Sequence, residues 1–309
     1  MQAKEIYTID DLRDWRGATA EVAPPVRLAV FGDPVAHSKS PAMHNAALAA
    51  LGIDARYTRL HIRPEEFAEA VGLLAGEGFI GANFTIPHKF AALGLMDEVD
   101  ERARKIGSVN TVLIDDGKLR GFSTDGPGLV RAVRAEFGVD LRDLRVMLLG
   151  AGGGAGRAIA VQCGLENCER LVLVNRTFEK ARALVEELKP FFQTPKFPGP
   201  VARLDAVPWE EAQLAFQLRH TDLVINATSM GMKFSDPSPL PEAILLPHLM
   251  VYDTIYTAAR TPLLRAADLA GARGANGLSM LLHQGALSFE IWFNREAPVD
   301  VMRKALEAA

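Results

Sequence analysis

Residues 145–176 read RVMLLGAGGGAGRAIAVQCGLENCERLVLVNR, a stretch with two short apolar runs at 146–149 and 171–174. Between the runs lie a glycine-rich turn and a segment with helical periodicity. Short apolar runs that are bounded by charge and glycine are typical of buried parallel strands. The order strand, turn, helix and strand therefore predicts a βαβ unit.

The turn contains the pattern Gly150-x-Gly152-x-x-Ala155, which matches the fingerprint of dinucleotide-binding βαβ units. Glycine permits the tight turn, and without a Cβ atom it lets a pyrophosphate approach the backbone. The alternative is a glycine-rich turn that only packs the helix on the sheet, but the flanking strands favour a dinucleotide site. The residues predicted to contact the cofactor here are Gly150, Ala151, Gly152, Gly153, Gly154 and Ala155.

The end of the second strand predicts which dinucleotide binds. Sites for NAD usually carry Asp or Glu there, which holds the ribose hydroxyls. This chain instead has Asn175, Arg176 and Thr177, followed by Glu179 and Lys180. A guanidinium and an ammonium four residues apart can clamp a 2′-phosphate, so we predict NADP. A solvated helix start is the alternative, although two cations at that position oppose the helix dipole.

The composition is that of a soluble globular protein, with 309 residues, of which 49% are hydrophobic and 23% charged, and a net charge of −4. This charge favours neither nucleic acid nor an anionic membrane. The sequence shows no apolar run that could span a bilayer and no signal peptide at its start, so we expect a cytoplasmic protein. Cys163 and Cys168 cannot complete a zinc site, so we expect buried thiols and no metal.

The first half of the chain predicts another sheet, because apolar runs alternate there with helical patterns. The predicted strands are 26–31, 57–62 and 79–85, and the predicted helices between them are 42–51 and 64–75. Alternation at this spacing implies a mostly parallel α/β arrangement. A charged segment, 97–105, predicts a further helix.

Two serines lie between the first predicted strand and its helix. Ser40 precedes Pro41, and this pair predicts an N-cap at Ser40 with proline in the first turn. Ser38 has no such structural duty in the sequence. Two hydroxyls that face a helix N-terminus can bind a small carboxylate, so Ser40 is either a cap alone or part of a carboxylate site with Ser38.

Lys89 is the strongest candidate for chemistry in this half. The strand before it ends near Thr85, and Pro87 forbids its continuation, so Lys89 lies just beyond the carboxyl end of a strand. Open α/β sheets bind ligands at that edge. Lys89 also stands at a helix N-terminus, where a cation is disfavoured, and a lysine that holds its proton weakly can act as a general base. A solvated surface lysine is the alternative.

Asp116-Gly117 between two apolar runs predicts a β-hairpin. Asn110 enters its first strand and Asp125 follows its second. Asp125 is either a plain N-cap of the next helix or a cap that also presents an oxygen to a ligand. In the second half, a strand over 223–229 ends in small residues that include Thr228, and a strand over 250–255 ends before Tyr256.

These residues together resemble the shikimate dehydrogenase family. The matching motifs are HSKSP at 37–41, NFTIPHK at 83–89, SVNT at 108–111, STDG at 123–126, the glycine loop at 150–155, NRT at 175–177, NATSMG at 226–231, YDTIY at 252–256 and NGLSMLLHQGA at 276–286. The resemblance implies reversible, NADP-dependent reduction of 3-dehydroshikimate to shikimate in chorismate and aromatic amino-acid biosynthesis. Its partner would be this small molecule, and the protein would be a monomer or a homodimer.

The resemblance also implies residue roles. Lys89 and Asp125 would be the catalytic pair, which also contacts the substrate. The other residues that would hold the substrate are Ser38, Ser40, Thr85, Asn110, Tyr256 and Gln284. The residues that would line the cofactor are Gly150 to Ala155, Asn175, Arg176, Thr177, Lys180, Thr228, Thr254 and Gly277.

The implied fold is α/β with two domains. Residues 1–26 would form an N-terminal extension, 27–124 plus about 287–309 a mostly parallel substrate-binding catalytic domain, and 125–286 a Rossmann-type NADP-binding domain. The C-terminal helix would return to the first domain. The glycine loop departs from the family pattern because it is one residue longer before Arg157.

Three rival functions remain. A quinate/shikimate dehydrogenase that uses NAD would carry an acidic residue near Arg176. A metabolite-binding relative without catalysis would not be expected to keep both Lys89 and Asp125. A methyltransferase with a glycine-rich βαβ unit usually holds its ribose with an acidic residue, which this chain lacks at that position.

Overall fold

The computed structural model describes residues 4–193, 201–233, 235–256 and 260–309. The chain divides into two compact units, of which the first comprises Met1–Thr124 and Leu281–Ala309 and the second Asp125–Met280. The chain thus returns to the first unit inside a continuous helix, Leu278–Phe293, a few residues before the predicted position near 287.

Strands and helices are numbered here in chain order. The strands are β1 (Ile6–Tyr7), β2 (Val26–Gly32), β3 (Arg56–His61), β4 (Gly81–Phe84), β5 (Glu98–Val99), β6 (Thr111–Asp115), β7 (Lys118–Phe122), β8 (Arg145–Leu149), β9 (Arg170–Val174), β10 (Leu204–Val207), β11 (Leu223–Asn226), β12 (Met250–Asp253) and β13 (Arg273–Asn276). The α-helices are α1 (Ile9–Arg13), α2 (Trp15–Ala18), α3 (Ser40–Ala50), α4 (Phe67–Leu73), α5 (Lys89–Ala92), α6 (Glu101–Ile106), α7 (Asp125–Phe137), α8 (Gly154–Leu165), α9 (Phe178–Leu188), α10 (Glu211–Leu218), α11 (Pro262–Leu269), α12 (Leu278–Phe293) and α13 (Val299–Ala308).

The sheet of the first unit has, within the described residues, the strand order β1-β3-β2-β4-β6-β7-β5. Strand β6 runs antiparallel to β4 and β7, and the other pairs are parallel. The mostly parallel sheet is therefore confirmed, and so is the hairpin β6–β7. Its turn has positive φ angles at Asp116 (48°) and Gly117 (75°), which a two-residue type I′ turn requires.

The segment before β2 is part of the first unit. Strand β1 pairs with β3 in parallel at the edge of the sheet. Tyr7, Leu12 and Trp15 are buried, and the ring of Trp15 lies 5.0 Å from that of Tyr7 and 5.1 Å from that of Phe79. These apolar side chains are the physical reason why residues 6–18 pack on the sheet, whereas the sequence suggested an extension.

The helix predicted over 97–105 is wrong in its first part. Glu98 and Val99 form β5, which pairs with the exposed edge of β7, and the helix α6 begins only at Glu101. The carboxylate of Asp100 accepts hydrogen bonds from the backbone N–H groups of Arg102 (3.0 Å) and Ala103 (3.2 Å). These two hydrogen bonds fix the start of the helix after Asp100. The residues before Asp100 pair instead with the free edge of β7.

The sheet of the second unit is parallel throughout its described strands, in the order β10-β9-β8-β11-β12-β13. The predicted βαβ unit, β8-α8-β9, is confirmed and lies at the centre. Cys163 and Cys168 are buried free thiols, as expected. Among the described residues, none of the helices has the length and apolarity for a bilayer crossing. The same residues contain no cluster of three His, Cys, Asp or Glu side chains that could bind a metal.

His44 on α3 is a buried titratable group in the core of the first unit. Its ring stacks on Tyr57 at 4.4 Å between centroids with 15° between planes, and it lies 5.2 Å from Trp292. Burial lowers the pKa of His44 from 6.5 to about 3. The folded protein therefore holds this imidazole in its neutral form.

This burial predicts a pH dependence of stability. Because the folded-state pKa of His44 lies below its unfolded value of 6.5, its contribution is complete above pH 6.5 and is lost as the pH falls towards 3. We expect His44→Phe to remove that loss, which is at most about 1.4 kcal/mol per pH unit. Urea unfolding at neutral pH and near pH 5 measures it, with exposed His37→Phe as the control. Equal losses in the wild type and in His44→Phe would contradict the prediction.

Candidate functional site

Ser38 and Ser40 lie together at the start of α3. The helix begins at Ser40 with Lys39 as its N-cap residue, so the predicted N-cap at Ser40 is wrong by one position. The Ser38 hydroxyl accepts a hydrogen bond from the Ser40 backbone N–H at 3.3 Å, a structural duty that the sequence did not reveal. The Arg59 guanidinium donates to the Ser38 carbonyl oxygen at 2.7 and 3.0 Å and thereby holds this turn from β3.

Thr85 and Lys89 follow β4, as predicted. Strand β4 ends at Phe84, and Thr85 continues the pairing with one bond from its N–H to the Phe31 carbonyl oxygen at 2.9 Å. A Cβ atom at Gly32 would lie 2.5 Å from the Thr85 methyl group, so a larger residue at this position would force the Thr85 side chain to shift. Lys89 is the first residue of α5, and its carbonyl oxygen accepts from Val109 N–H at 2.9 Å.

The buried side chain of His88 anchors this segment to the core, a role that the sequence analysis missed. Its Nε2 lies 2.7 Å from the Ile62 carbonyl oxygen, and its ring stacks on Phe67 at 4.2 Å with 9° between planes. Burial lowers the pKa of His88, and the hydrogen bond to Ile62 opposes that effect. The buried ring therefore anchors the segment on which Thr85 and Lys89 lie half-buried.

Asn110 and Gln284 come together within the first unit, although 174 residues separate them in sequence. The Asn110 side chain donates to the Gln284 side-chain oxygen at 3.4 Å. It also brackets Thr124, because Asn110 Oδ1 accepts from Thr124 N–H at 2.8 Å and Nδ2 donates to Thr124 Oγ1 at 2.9 Å. The two amides that the family resemblance assigned to the substrate are thus neighbours.

The glycine turn of the second unit has strict steric requirements. Gly150 has a φ of 87°, and a Cβ atom there would lie 2.7 Å from the Thr228 methyl carbon. A Cβ atom at Gly156 would lie 2.1 Å from the Gly150 carbonyl oxygen. The fingerprint assigns the close contact between helix and turn to Ala155. In the structure this contact lies at Gly156, one position later. The additional glycine in the turn accounts for the shift.

Residues after β9 stand beside this turn. Asn175 Oδ1 accepts from the Gly152 N–H at 3.2 Å, and Asn175 Nδ2 donates to the Thr177 carbonyl oxygen at 2.8 Å. A Cβ atom at Gly152 would lie 3.0 Å from the Cβ of Lys180 on α9. Arg176 and Lys180 are exposed, so two cations flank the N-terminus of α9 next to the glycine turn.

Three further candidate residues of the second unit follow the carboxyl ends of β11, β12 and β13, namely Thr228, Thr254 and Gly277. Thr228 follows β11, and its hydroxyl donates to Asn226 Oδ1 at 2.7 Å. Thr254 follows β12, and a Cβ atom at Gly277 would lie 2.0 Å from its carbonyl oxygen. The Asn226 Nδ2 group donates a hydrogen bond to Asp253 Oδ1 at 2.9 Å, which links the ends of β11 and β12. Burial raises the pKa of Asp253.

The predicted substrate residues are divided between the units. Asp125 and Tyr256 belong to the second unit, whereas the others belong to the first. Asp125 is the first residue of α7 and is buried, and Tyr256 is exposed just after β12. Each unit thus has its own set of candidate residues. The first unit has side chains with hydroxyl and amide groups, and the second unit has a glycine turn with two cations beside it.

Three family models match the chain. They are the shikimate dehydrogenase substrate binding domain over residues 30–112, the shikimate/quinate 5-dehydrogenase model over residues 131–231 and the shikimate 5′-dehydrogenase C-terminal domain over residues 277–307.

Named proteins extend this similarity over nearly the whole chain. The shikimate dehydrogenase (NADP(+)) of Methanopyrus kandleri is 43% identical over 279 residues, which cover 90% of this chain and 93% of that protein. That of Symbiobacterium thermophilum is 42% identical over 285 residues, covering 91% and 94%. The crystal structure of Thermus thermophilus shikimate 5-dehydrogenase with NADP(H) and shikimate has a TM-score of 0.79 at 37% identity, covering 92% of this chain and 99% of that one. The chain belongs to the shikimate dehydrogenase family.

Proposed function

We propose that this protein is an NADP-dependent shikimate dehydrogenase, an oxidoreductase that reduces 3-dehydroshikimate reversibly to shikimate in chorismate and aromatic amino-acid biosynthesis. The observation that carries the proposal is the 43% identity over 90% of the chain to a relative of that name. The substrate would be this small molecule, and we further propose a cytoplasmic monomer or homodimer whose substrate-binding and NADP-binding domains correspond to the first and the second unit.

The second unit offers residues that fit an NADP molecule. Gly152 and Gly153 present exposed backbone without Cβ atoms at the N-terminus of α8, where the helix dipole favours a pyrophosphate. Arg176 and Lys180 place two cations beside that turn, where a 2′-phosphate would neutralise them. Thr228, Thr254 and Gly277 would line the remainder, and the close approach of Gly277 to the Thr254 carbonyl oxygen keeps the ends of β12 and β13 together.

The first unit offers the groups that would bind the substrate. Ser38 and Ser40 would hold its carboxylate at the start of α3. Asn110 and Gln284 would read ring hydroxyls, as would Thr85 and, from the second unit, Tyr256. Hydroxyl and amide groups can each donate and accept, which suits a ligand that carries several alcohols.

Lys89 and Asp125 are proposed as the catalytic pair. Oxidation of a secondary alcohol removes a proton from oxygen and a hydride from carbon, and NADP+ supplies the hydride acceptor. Lys89 Nζ would take the hydroxyl proton, and in the opposite direction it would return the proton to the carbonyl oxygen. The Asp125 carboxylate would orient the ammonium and the hydroxyl.

The relatives favour this function over the alternatives. An NAD-dependent quinate/shikimate dehydrogenase is less well supported, because the similar curated proteins are named as NADP(+) enzymes and Arg176 stands where an acidic residue would hold NAD. A relative that binds metabolites without catalysis is also less well supported, since the chain keeps both Lys89 and Asp125.

Replacing the proposed base tests the mechanism. We expect Lys89→Ala to lower kcat by roughly 10²- to 10⁴-fold, because acid–base catalysis by a positioned side chain contributes about that much. The rate of NADPH formation from shikimate at saturating NADP+, followed by absorbance, measures it. Lys118→Ala, which removes an exposed lysine of the same unit, is the matched control and should leave kcat unchanged.

Asp125→Asn complements that test, because it keeps the shape of the side chain and removes its charge. We expect kcat to fall in this variant as well. Near-normal turnover in Lys89→Ala would remove lysine from the mechanism, and near-normal turnover in Asp125→Asn would remove the carboxylate. Absence of NADPH formation from shikimate in the wild-type protein would refute the proposed function itself.

Replacing the proposed phosphate clamp tests the cofactor. Loss of a charge-assisted interaction weakens binding by roughly ten- to hundredfold, so we expect Arg176→Ala to raise the KM for NADP+ by about that factor. The KM for NAD+, which lacks the 2′-phosphate, should change little. Arg182→Ala, an exposed arginine on α9, is the control. Equal weakening of both cofactors would show that the clamp is misplaced.

A further inference from the structure

A buried polar cluster in the first unit includes one candidate substrate residue, Asn110, together with four residues that the proposed function does not use. It consists of Asn83 on β4, Asn110 and Thr111 at the start of β6, Thr124 after β7 and Ser288 on α12. Each of these side chains is at most 6% exposed. Buried polar groups in a low-dielectric interior are stable only when their hydrogen bonds are satisfied, so such a cluster fixes the orientation of its members.

Main-chain groups define how the side-chain amides of Asn110 and Gln284 are oriented. The Thr124 N–H donates to Asn110 Oδ1 at 2.8 Å, which identifies that atom as the oxygen and places Nδ2 towards Gln284 Oε1 at 3.4 Å. Gln284 Nε2 donates to the Leu281 carbonyl oxygen at 2.9 Å, which fixes this amide too. An amide that cannot flip presents a defined pattern of donors and acceptors to a ligand.

The Asn83 amide is fixed in the same way. Its Oδ1 accepts from the Tyr57 hydroxyl at 2.7 Å. Its Nδ2 donates to the Asn110 carbonyl oxygen at 3.1 Å and to the hydroxyls of Thr111 and Ser288, both at 3.0 Å. These three acceptors share the two N–H groups of Nδ2, so the hydroxyls of Thr111 and Ser288 each lie within hydrogen-bond distance of an Asn83 N–H.

The Thr111 hydroxyl links these amides. Because it accepts from Asn83, its single hydrogen can be donated to Asn110 Oδ1, which lies at 3.1 Å. It also lies 2.9 Å from the Ser288 hydroxyl, whose oxygen is 3.0 Å from the Gln284 carbonyl oxygen. One hydroxyl thus contacts the side chain of Asn110 and, through Ser288, the helical turn that carries Gln284.

We propose that Thr111 is a positioning residue for substrate recognition, an inference that rests on the proposed function. Its hydroxyl group holds the amide of Asn110, which donates to Gln284 Oε1, and through Ser288 it contacts the main chain of the helical turn that carries Gln284. The two amides would thereby keep the orientation that reads the ring hydroxyls of the substrate. Its role is separate from catalysis by Lys89 and from cofactor binding in the second unit. Removal of the hydroxyl therefore weakens substrate binding selectively.

Two variants of Thr111 separate its hydroxyl from its methyl group. Thr111→Val keeps the shape and removes the hydroxyl, whereas Thr111→Ser keeps the hydroxyl and removes the methyl group. We expect Thr111→Val to raise the Kd for shikimate, measured by calorimetry without cofactor, and the KM for shikimate by roughly tenfold, as loss of one buried hydrogen bond does. We expect kcat and the KM for NADP+ to stay within about twofold, and Thr111→Ser to resemble the wild type.

The matched control is Thr221→Val. Thr221 is equally buried in the second unit, and its hydroxyl donates to the Gln217 carbonyl oxygen at 2.9 Å. This variant loses a comparable hydrogen bond far from the cluster in sequence and should leave the Kd for shikimate unchanged.

The outcomes are distinct. Unchanged shikimate affinity in Thr111→Val, or equal weakening in Thr111→Val and Thr111→Ser, would overturn the positioning role. If Thr111→Val does not fold, Ser288→Ala removes the same link from the other side, and wild-type affinity in that variant would overturn the proposal too. A wild-type protein that binds no shikimate would instead refute the proposed function.

Discussion

Parallel pairing brings the carboxyl ends of neighbouring strands to one edge of a sheet, and the candidate residues of both units depend on this constraint. In the first unit, Ser38 and Ser40 follow β2, and Thr85 and Lys89 follow β4. In the second unit, the glycine turn follows β8, the proposed phosphate clamp follows β9, and Thr228, Thr254 and Gly277 follow β11, β12 and β13. Parallel pairing therefore brings together segments that are distant in sequence, and hydrogen bonds such as that from Gly152 N–H to Asn175 Oδ1 then join them. Steric details then decide how closely they meet, as the missing Cβ atoms of Gly32, Gly150 and Gly277 show.

Sequence reasoning succeeded where a local signal determines local structure. The apolar runs of β2, β8, β9 and β11 and the Asp116-Gly117 turn have such signals, and the structure confirms these elements. It failed where tertiary contacts decide. Strand β13, Arg273–Asn276, has almost no apolar residues and exists because β12 offers it a partner. Strand β5 lies in a segment with a helical pattern, and Ser40 is displaced from the N-cap because the Ser38 hydroxyl takes its backbone N–H.

The sequence could suggest candidate site residues only where they belong to a recognisable motif. The residues that support them gave no signal in the sequence. Arg59 binds the Ser38 carbonyl oxygen from a neighbouring strand, and His88 anchors the Lys89 segment through Phe67 and Ile62. Ser288 reaches Asn83 across 205 positions of the chain. Such pairings follow from the packing of α12 on the first unit, and no local pattern of residues encodes them.

The sites proposed in the two units would use different physics for recognition. In the first, buried amides and hydroxyls satisfy one another, so the orientation of each is set before a ligand arrives. A ligand that carries several alcohols is distinguished by donor and acceptor positions, and a fixed pattern discriminates because a wrong ligand leaves a buried group unpaired. In the second, Arg176 and Lys180 are exposed, which suits a phosphate, because charge attraction tolerates variable geometry. The buried position of Asn110 and the exposed position of Arg176 therefore fit the different demands of the roles proposed for them, which are to read alcohols and to bind a phosphate.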